Sequence, residues 1–110
     1  MKYLITESQL DRVIFKYLDN QDFIQIEIGD SIKFVNSEGD KYAQIRYSKD
    51  DGWCYINYEL IKEISSFFSL GEYESNKVIG KWVENTLQME VTNTVFGSQR
   101  WLGSLRIPNN

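Results

Sequence analysis

The chain has 110 residues, 42% hydrophobic, 15% aromatic and 25% charged, a composition that supports one ordinary core and excludes global disorder. Histidine is absent and Cys54 is the single cysteine, which excludes His-based triads and dyads, His-ligated zinc, thiolate metal cages and intrachain disulfides. A net charge of −4 argues against a protein held on duplex nucleic acid by phosphate contacts.

Met1-Lys2-Tyr3-Leu4-Ile5 is too short an apolar run for a signal-peptide core or a membrane span, and one unpaired cysteine suits a reducing compartment, so a cytosolic setting is expected. Thr6 and Gln9 stand at capping-box spacing. Behind them Leu10, Val13, Ile14, Tyr17 and Leu18 recur on one side of an amphipathic helix predicted from Glu7 to Leu18. From Phe23 the period changes to two, and Ile24, Ile26 and Ile28 alternate with Gln25 and Glu27 as a strand does. Gly29-Asp30 has the chemistry of a type II′ hairpin turn leading into a strand at 31–35. Ser37-Glu38-Gly39-Asp40 is the next turn. Lys41 to Ser48 is the third strand, with Ala43, Ile45 and Tyr47 on one face and Tyr42, Gln44 and Arg46 on the other. Lys49-Asp50-Asp51-Gly52 turns into Trp53-Cys54-Tyr55-Ile56, which completes a four-stranded antiparallel meander.

Asn57 is a suitable N-cap, Glu59 suits the first turn, and Leu60, Ile61, Ile64, Phe67 and Phe68 make an apolar stripe that stops at Gly71. That predicts a second helix of about fourteen residues. Val78, Ile79, Trp82, Val83, Leu87 and Val91 predict a third, with Gly80 inside it at a cost of about 1 kcal/mol relative to alanine unless close packing requires it. Thr92 to Ile107 is β-branched and punctuated by glycine, without a clear period. The expected fold is therefore a single α+β domain over 1–110, with an N-terminal helix, a four-stranded antiparallel meander, two C-terminal helices and a short C-terminal extension able to add an edge strand.

The opening Lys2-Tyr3-Leu4-Ile5-Thr6-Glu7-Ser8-Gln9-Leu10-Asp11-Arg12-Val13-Ile14 resembles the start of many small, uncharacterised proteins of marine bacteriophages and environmental viral sequences. A looser similarity runs from Tyr58 to Leu87, through the Phe67-Phe68 pair and Trp82-Val83-Glu84. The resemblance carries no catalytic motif. It implies a viral origin, in the host cytoplasm or the virion.

Several constellations have a chemical and a plain reading. Asp50-Asp51, with Glu38 and Asp40 one hairpin away, is dense enough to suggest a divalent cation, but lacks calcium-loop spacing and also suits turns. Glu59 and Glu63 lie four apart as an acid/base pair would, yet Lys62 beside them fits a solvent face. Gly80-Lys81 lacks the rest of a phosphate loop. Tyr42, Tyr47, Trp53 and Tyr55 could stack bases, but the adjacent Lys41, Arg46 and Lys49 are outnumbered along the chain by Glu38, Asp40, Asp50 and Asp51, so nucleic acid is not the expected partner. Residues 91–110 contain Arg100 and Arg106 and no acid. Arg100, Trp101, Leu102 and Arg106 are the predicted partner-binding residues, because Trp and Arg are enriched at binding hot spots.

The function expected is a non-enzymatic protein-interaction module of a phage, a virion component or a small host-directed effector, meeting a protein partner or a second copy of itself as a homo-oligomer. No cofactor, metal or membrane is called for. The alternative is a small-ligand or nucleotide-signal binder with Tyr42, Tyr47, Trp53 and Tyr55 lining a pocket between sheet and helices.

Overall fold

The computed structural model describes residues 7–97 and 105–107. Among them the elements in chain order are α1 (Glu7–Asp19), β1 (Ile24–Ile28), β2 (Ser31–Val35), β3 (Ile45–Ser48), β4 (Trp53–Asn57), α2 (Tyr58–Phe68), α3 (Glu72–Leu87) and β5 (Asn93–Gly97). The fold is α+β, with a sheet larger than the expected meander. Five strands lie in the order β1-β2-β3-β4-β5; the first four are antiparallel and β5 runs parallel to β4. The correction follows from the connection. A hairpin can only return a strand antiparallel, whereas two helices are long enough to carry the chain back and lay down a parallel neighbour.

Local chemistry places the boundaries. Ile28 pairs with Ser31 across the two-residue loop, and φ is positive at Gly29 but not at Asp30, as a type II′ turn requires. Asn57 caps α2 by accepting from the Glu59 backbone N–H at 3.0 Å. The helix stops earlier than the stripe implied, at Phe68, because Ser69 takes the left-handed conformation and its N–H bonds back to the Ser65 carbonyl. α3 begins at Glu72, before the apolar run, and ends at Leu87, before Val91, with Gln88 left-handed at its C-terminus. Thr6, the expected cap of α1, lies outside the described residues.

The third strand is shorter than expected because the chain bends at Gln44, between the bridge at Tyr42 and the ladder that starts at Ile45. That bend breaks the alternation. Ile45 and Tyr47 join the main core, while Ala43 belongs to a second cluster with Val35 and Leu105. The main core lies between the sheet and all three helices and includes Ile14, Leu18, Phe34, Ile45, Ile56, Ile61, Ile64 and Ile79, each at or below 1% exposure. At about 1.5–3 kcal/mol for each large aliphatic removed from water, this layer dominates the stability. Trp82 anchors it. Its ring lies 5.3 Å from Phe34 and 5.8 Å from Phe23, and its Nε1 donates to Asp19 Oδ1 at 2.9 Å, tying α3 to the end of α1.

Candidate functional site: the helix-free face and the β1 edge

Helices cover one face of the sheet; on the opposite face Ser31, Lys33 and Ser48 are buried as well, so the residues able to meet another molecule are the partly exposed ones of that face and those at the strand edges. Register assigns the helix-free face. Ile26, Lys33, Arg46, Tyr55 and Val95 make one row across all five strands. The next row holds Ile28, Ser31 and Ser48, with Trp53 and its partner Asn93 continuing it. The row on the other side starts with Ile24 and Val35 and is apolar.

The apolar row is covered by the protein's own C-terminal segment. The Ala43 N–H donates to the Leu105 carbonyl at 2.8 Å, the Ile107 N–H donates to the Lys41 carbonyl at 2.8 Å, and Leu105 is buried against Val35 and Ala43. Of the predicted partner-binding residues, Arg100, Trp101 and Leu102 lie outside the described residues. Arg106 is bridged to Tyr42 through its backbone and exposes its side chain. At 105–107 the tail is therefore part of the domain's own packing.

The aromatic residues predicted to line one pocket are separated. Tyr47 lies under the helices, nine-tenths or more buried, with its hydroxyl donating to the Glu90 carbonyl at 2.8 Å. Burial, then the nearby Glu90, pushes its phenol above the ordinary value. Tyr42 sits before the bend of the third strand. Trp53 and Tyr55 alone come together, on the helix-free face, with ring centroids 6.1 Å apart. The Arg46 guanidinium stands 4.9 Å over the Tyr55 ring, and its Nε donates to Ser31 Oγ at 3.1 Å. Lys33, directly opposite Arg46, is 5% exposed and donates its Nζ to the Arg106 carbonyl. Burial and then the Arg46 charge push the Lys33 ammonium below its ordinary value.

Two of the acids of the turns bond to nearby backbone, and a third acid pairs with one of the cations. Asp40 accepts from the Asn36 and Ser37 backbone N–H groups and the Ser37 hydroxyl, which hold its carboxyl below the ordinary range. Asp51 Oδ1 accepts from the Trp53 N–H at 3.0 Å, and Glu27 pairs with Lys49. Lys33 was missed; its sequence signal is a cation at the centre of a short strand among Ile32, Phe34 and Val35.

The outer edge of β1 is the second feature. The Asp30 and Phe34 carbonyls accept from Lys49 and Gln44, so the ladder bonds between β1 and β2 run through Ser31, Lys33 and Val35 to Ile28, Ile26 and Ile24. The backbone groups of Gln25 and Glu27 point outward. Among the described residues β1 has one neighbour.

Other sequence candidates fall to structural uses. Glu63 Oε2 accepts from the Tyr17 hydroxyl at 2.7 Å, which pushes that phenol up to about 12. Cys54 is fully buried, and burial alone pushes its thiol up to about 12. Among the described residues no three His, Cys, Asp or Glu side chains gather as a metal site, and no helix is long and apolar enough to cross a membrane. Comparison with protein-family models, with curated proteins and with solved structures finds no match.

Proposed function

We propose that this chain is a protein-interaction module that pairs with a second copy of itself through the outer edge of β1. The observation that carries the reading is the self-complementarity of Ile24-Gln25-Ile26-Glu27-Ile28 in the observed hydrogen-bonding phase. A two-fold axis at Ile26 sets Gln25 opposite Glu27 of the second copy, and these are the residues whose backbone groups face outward. Four backbone hydrogen bonds form. No like charges meet, since each glutamate faces an amide, and the isoleucines of both copies continue one apolar patch on the helix-free face. Natural edge strands are blunted by proline, bulges or unpaired lysine, and β1 has none of these. With the resemblance of its N-terminal segment, the reading is that of a phage interaction module.

Light scattering across a concentration series tests it. The wild type is expected to move from monomer to dimer, and Gln25→Pro is expected to remain monomeric with an unchanged circular dichroism spectrum. Proline there removes only an outward N–H, so the pairing with β2 survives. A wild type that stays monomeric at every concentration, or a Gln25→Pro variant that still dimerises, overturns the reading.

A further inference from the structure

The sheet ends on its other side at β5, and that edge is built differently from β1. The Asn57 N–H donates to the Gln44 carbonyl, while the Gly52 carbonyl accepts from Thr92 in the chain leading into β5. Alternation along β4 therefore turns the backbone groups of Trp53, Tyr55 and Asn57 to β3 and those of Cys54 and Ile56 to β5. In a parallel ladder Cys54, paired with Thr94, bonds to the two neighbours of that residue, Asn93 and Val95. Thr94 and Phe96 are left directing their backbone groups away from the sheet. The Thr94 carbonyl is already taken. Asn76, on the part of α3 that packs on β5, donates Nδ2 to that carbonyl at 3.0 Å and to Thr94 Oγ1 at 3.2 Å, and is itself 8% exposed. Lys77, exposed and next along α3, lines the groove between α3 and residues 91–94, and lysine beside an edge is a common means of blunting it.

We propose that Asn76 guards the β5 edge against a further strand and so closes assembly at two copies. This role rests on the proposed β1 pairing and sets its limit. A sheet open at both edges has no closed form, because successive two-fold axes at β1 and at β5 extend the assembly without end. The β5 edge could pair with itself as β1 does. A two-fold axis at Val95 sets Thr94 opposite Phe96 of the second copy, and these are the residues whose backbone groups face outward, so four backbone hydrogen bonds would form. Asn76 withholds the Thr94 carbonyl in each copy, which removes two of those four. The Phe96 N–H groups that would have met the two carbonyls are then covered without an acceptor, a cost that association must bear. The carboxamide occupies the approach to the oxygen as well, so the strand cannot be added without first displacing a side chain that is packed and doubly bonded.

Light scattering of the wild type and of Asn76→Ala over one concentration series tests the proposal. The wild type is expected to level off at twice the chain mass, and Asn76→Ala to pass that value and keep rising. In the Gln25→Pro background Asn76→Ala is expected to restore a dimer, now through β5, and exchange of the Phe96 amide is expected to slow at least about tenfold as that dimer fills. Asn76→Ser, still polar but too short to reach Thr94, repeats the comparison if the alanine variant fails to fold. Val78→Ala removes a buried side chain from the same helix and is expected to associate no further than the wild type, which separates an opened edge from a loosened fold. Asn76 variants that level off with the wild type overturn the proposal, as do larger species in which Phe96 exchange is unchanged, or equal growth by Val78→Ala. A wild type that stays monomeric refutes the β1 pairing alone, and the guarding of β5 is then decided by whether the Asn76 variants dimerise.

Discussion

Gly80 lies inside α3 against β5, and a Cβ built there would stand 2.2 Å from Thr94 Cγ2. The Thr94 methyl cannot simply rotate away, since Asn76 Nδ2 donates to Thr94 Oγ1 at 3.2 Å and holds the rotamer. Gly80→Ala gains about 1 kcal/mol of helix propensity but overpacks a helix against a strand at a cost of about 1–3 kcal/mol, for a net loss of up to about 2 kcal/mol. Thr94→Ser removes the obstructing methyl, keeps the hydroxyl, and alone costs about 0.8 kcal/mol of burial. In the double variant the next atoms stand at 3.4 and 3.6 Å, ordinary contact distances. The propensity gain then offsets the lost methyl, and the double variant is expected to match the wild type to within about 0.5 kcal/mol, giving a coupling of about 2 kcal/mol. Urea unfolding with linear extrapolation reads all four proteins. Additive effects would mean that the Gly80 and Thr94 contact does not constrain the packing of α3 on the sheet.

Trp82→Ala is expected to cost about 3–5 kcal/mol, enough to unfold much of the population at 37 °C, whereas Trp82→Phe should lose nearer 1–2 kcal/mol through the missing Asp19 bond and a smaller ring; equal losses would refute the assignment of the hydrogen bond. Asn57→Ala should lower stability by about 1 kcal/mol, while an unchanged urea midpoint would mean that its carboxamide does not cap α2. Burial raises the Cys54 thiol to about 12 in the folded chain, so the unfolded chain releases that proton first as pH rises. Relative to Cys54→Ala, the wild type should keep its full stability below pH 9 and lose about 1.4 kcal/mol per unit from there towards pH 12; parallel stability curves would exclude burial as the cause.

The elements themselves were legible in the sequence wherever one local rule decided the outcome. Gly29-Asp30, the isoleucine alternation of β1, the Asn57 cap, and the roles of Trp82 and Cys54 each follow from a short stretch of chain, and each stands in the structure as read. The endpoints of α2 and α3 were less legible, because Ser69 and Gln88 adopt the left-handed conformation without being glycine. β5 could not be read as a strand with certainty. Asn93-Thr94-Val95-Phe96-Gly97 has no strict alternation, and its parallel place beside β4 depends on how α2 and α3 carry the chain across the sheet. Nor could the sequence sort the charges. Lys33 and Arg46 are thirteen residues apart and meet only through register, while Asp40 and Asp51, closer to Arg46 along the chain, bond to turn backbone instead. Local hydrogen bonding and side-chain period act over a few residues and are written in the order of amino acids. The opposition of two cations across a ladder, and the direction in which an edge strand points its free backbone groups, depend on pairing between distant segments, and tertiary structure alone decided them.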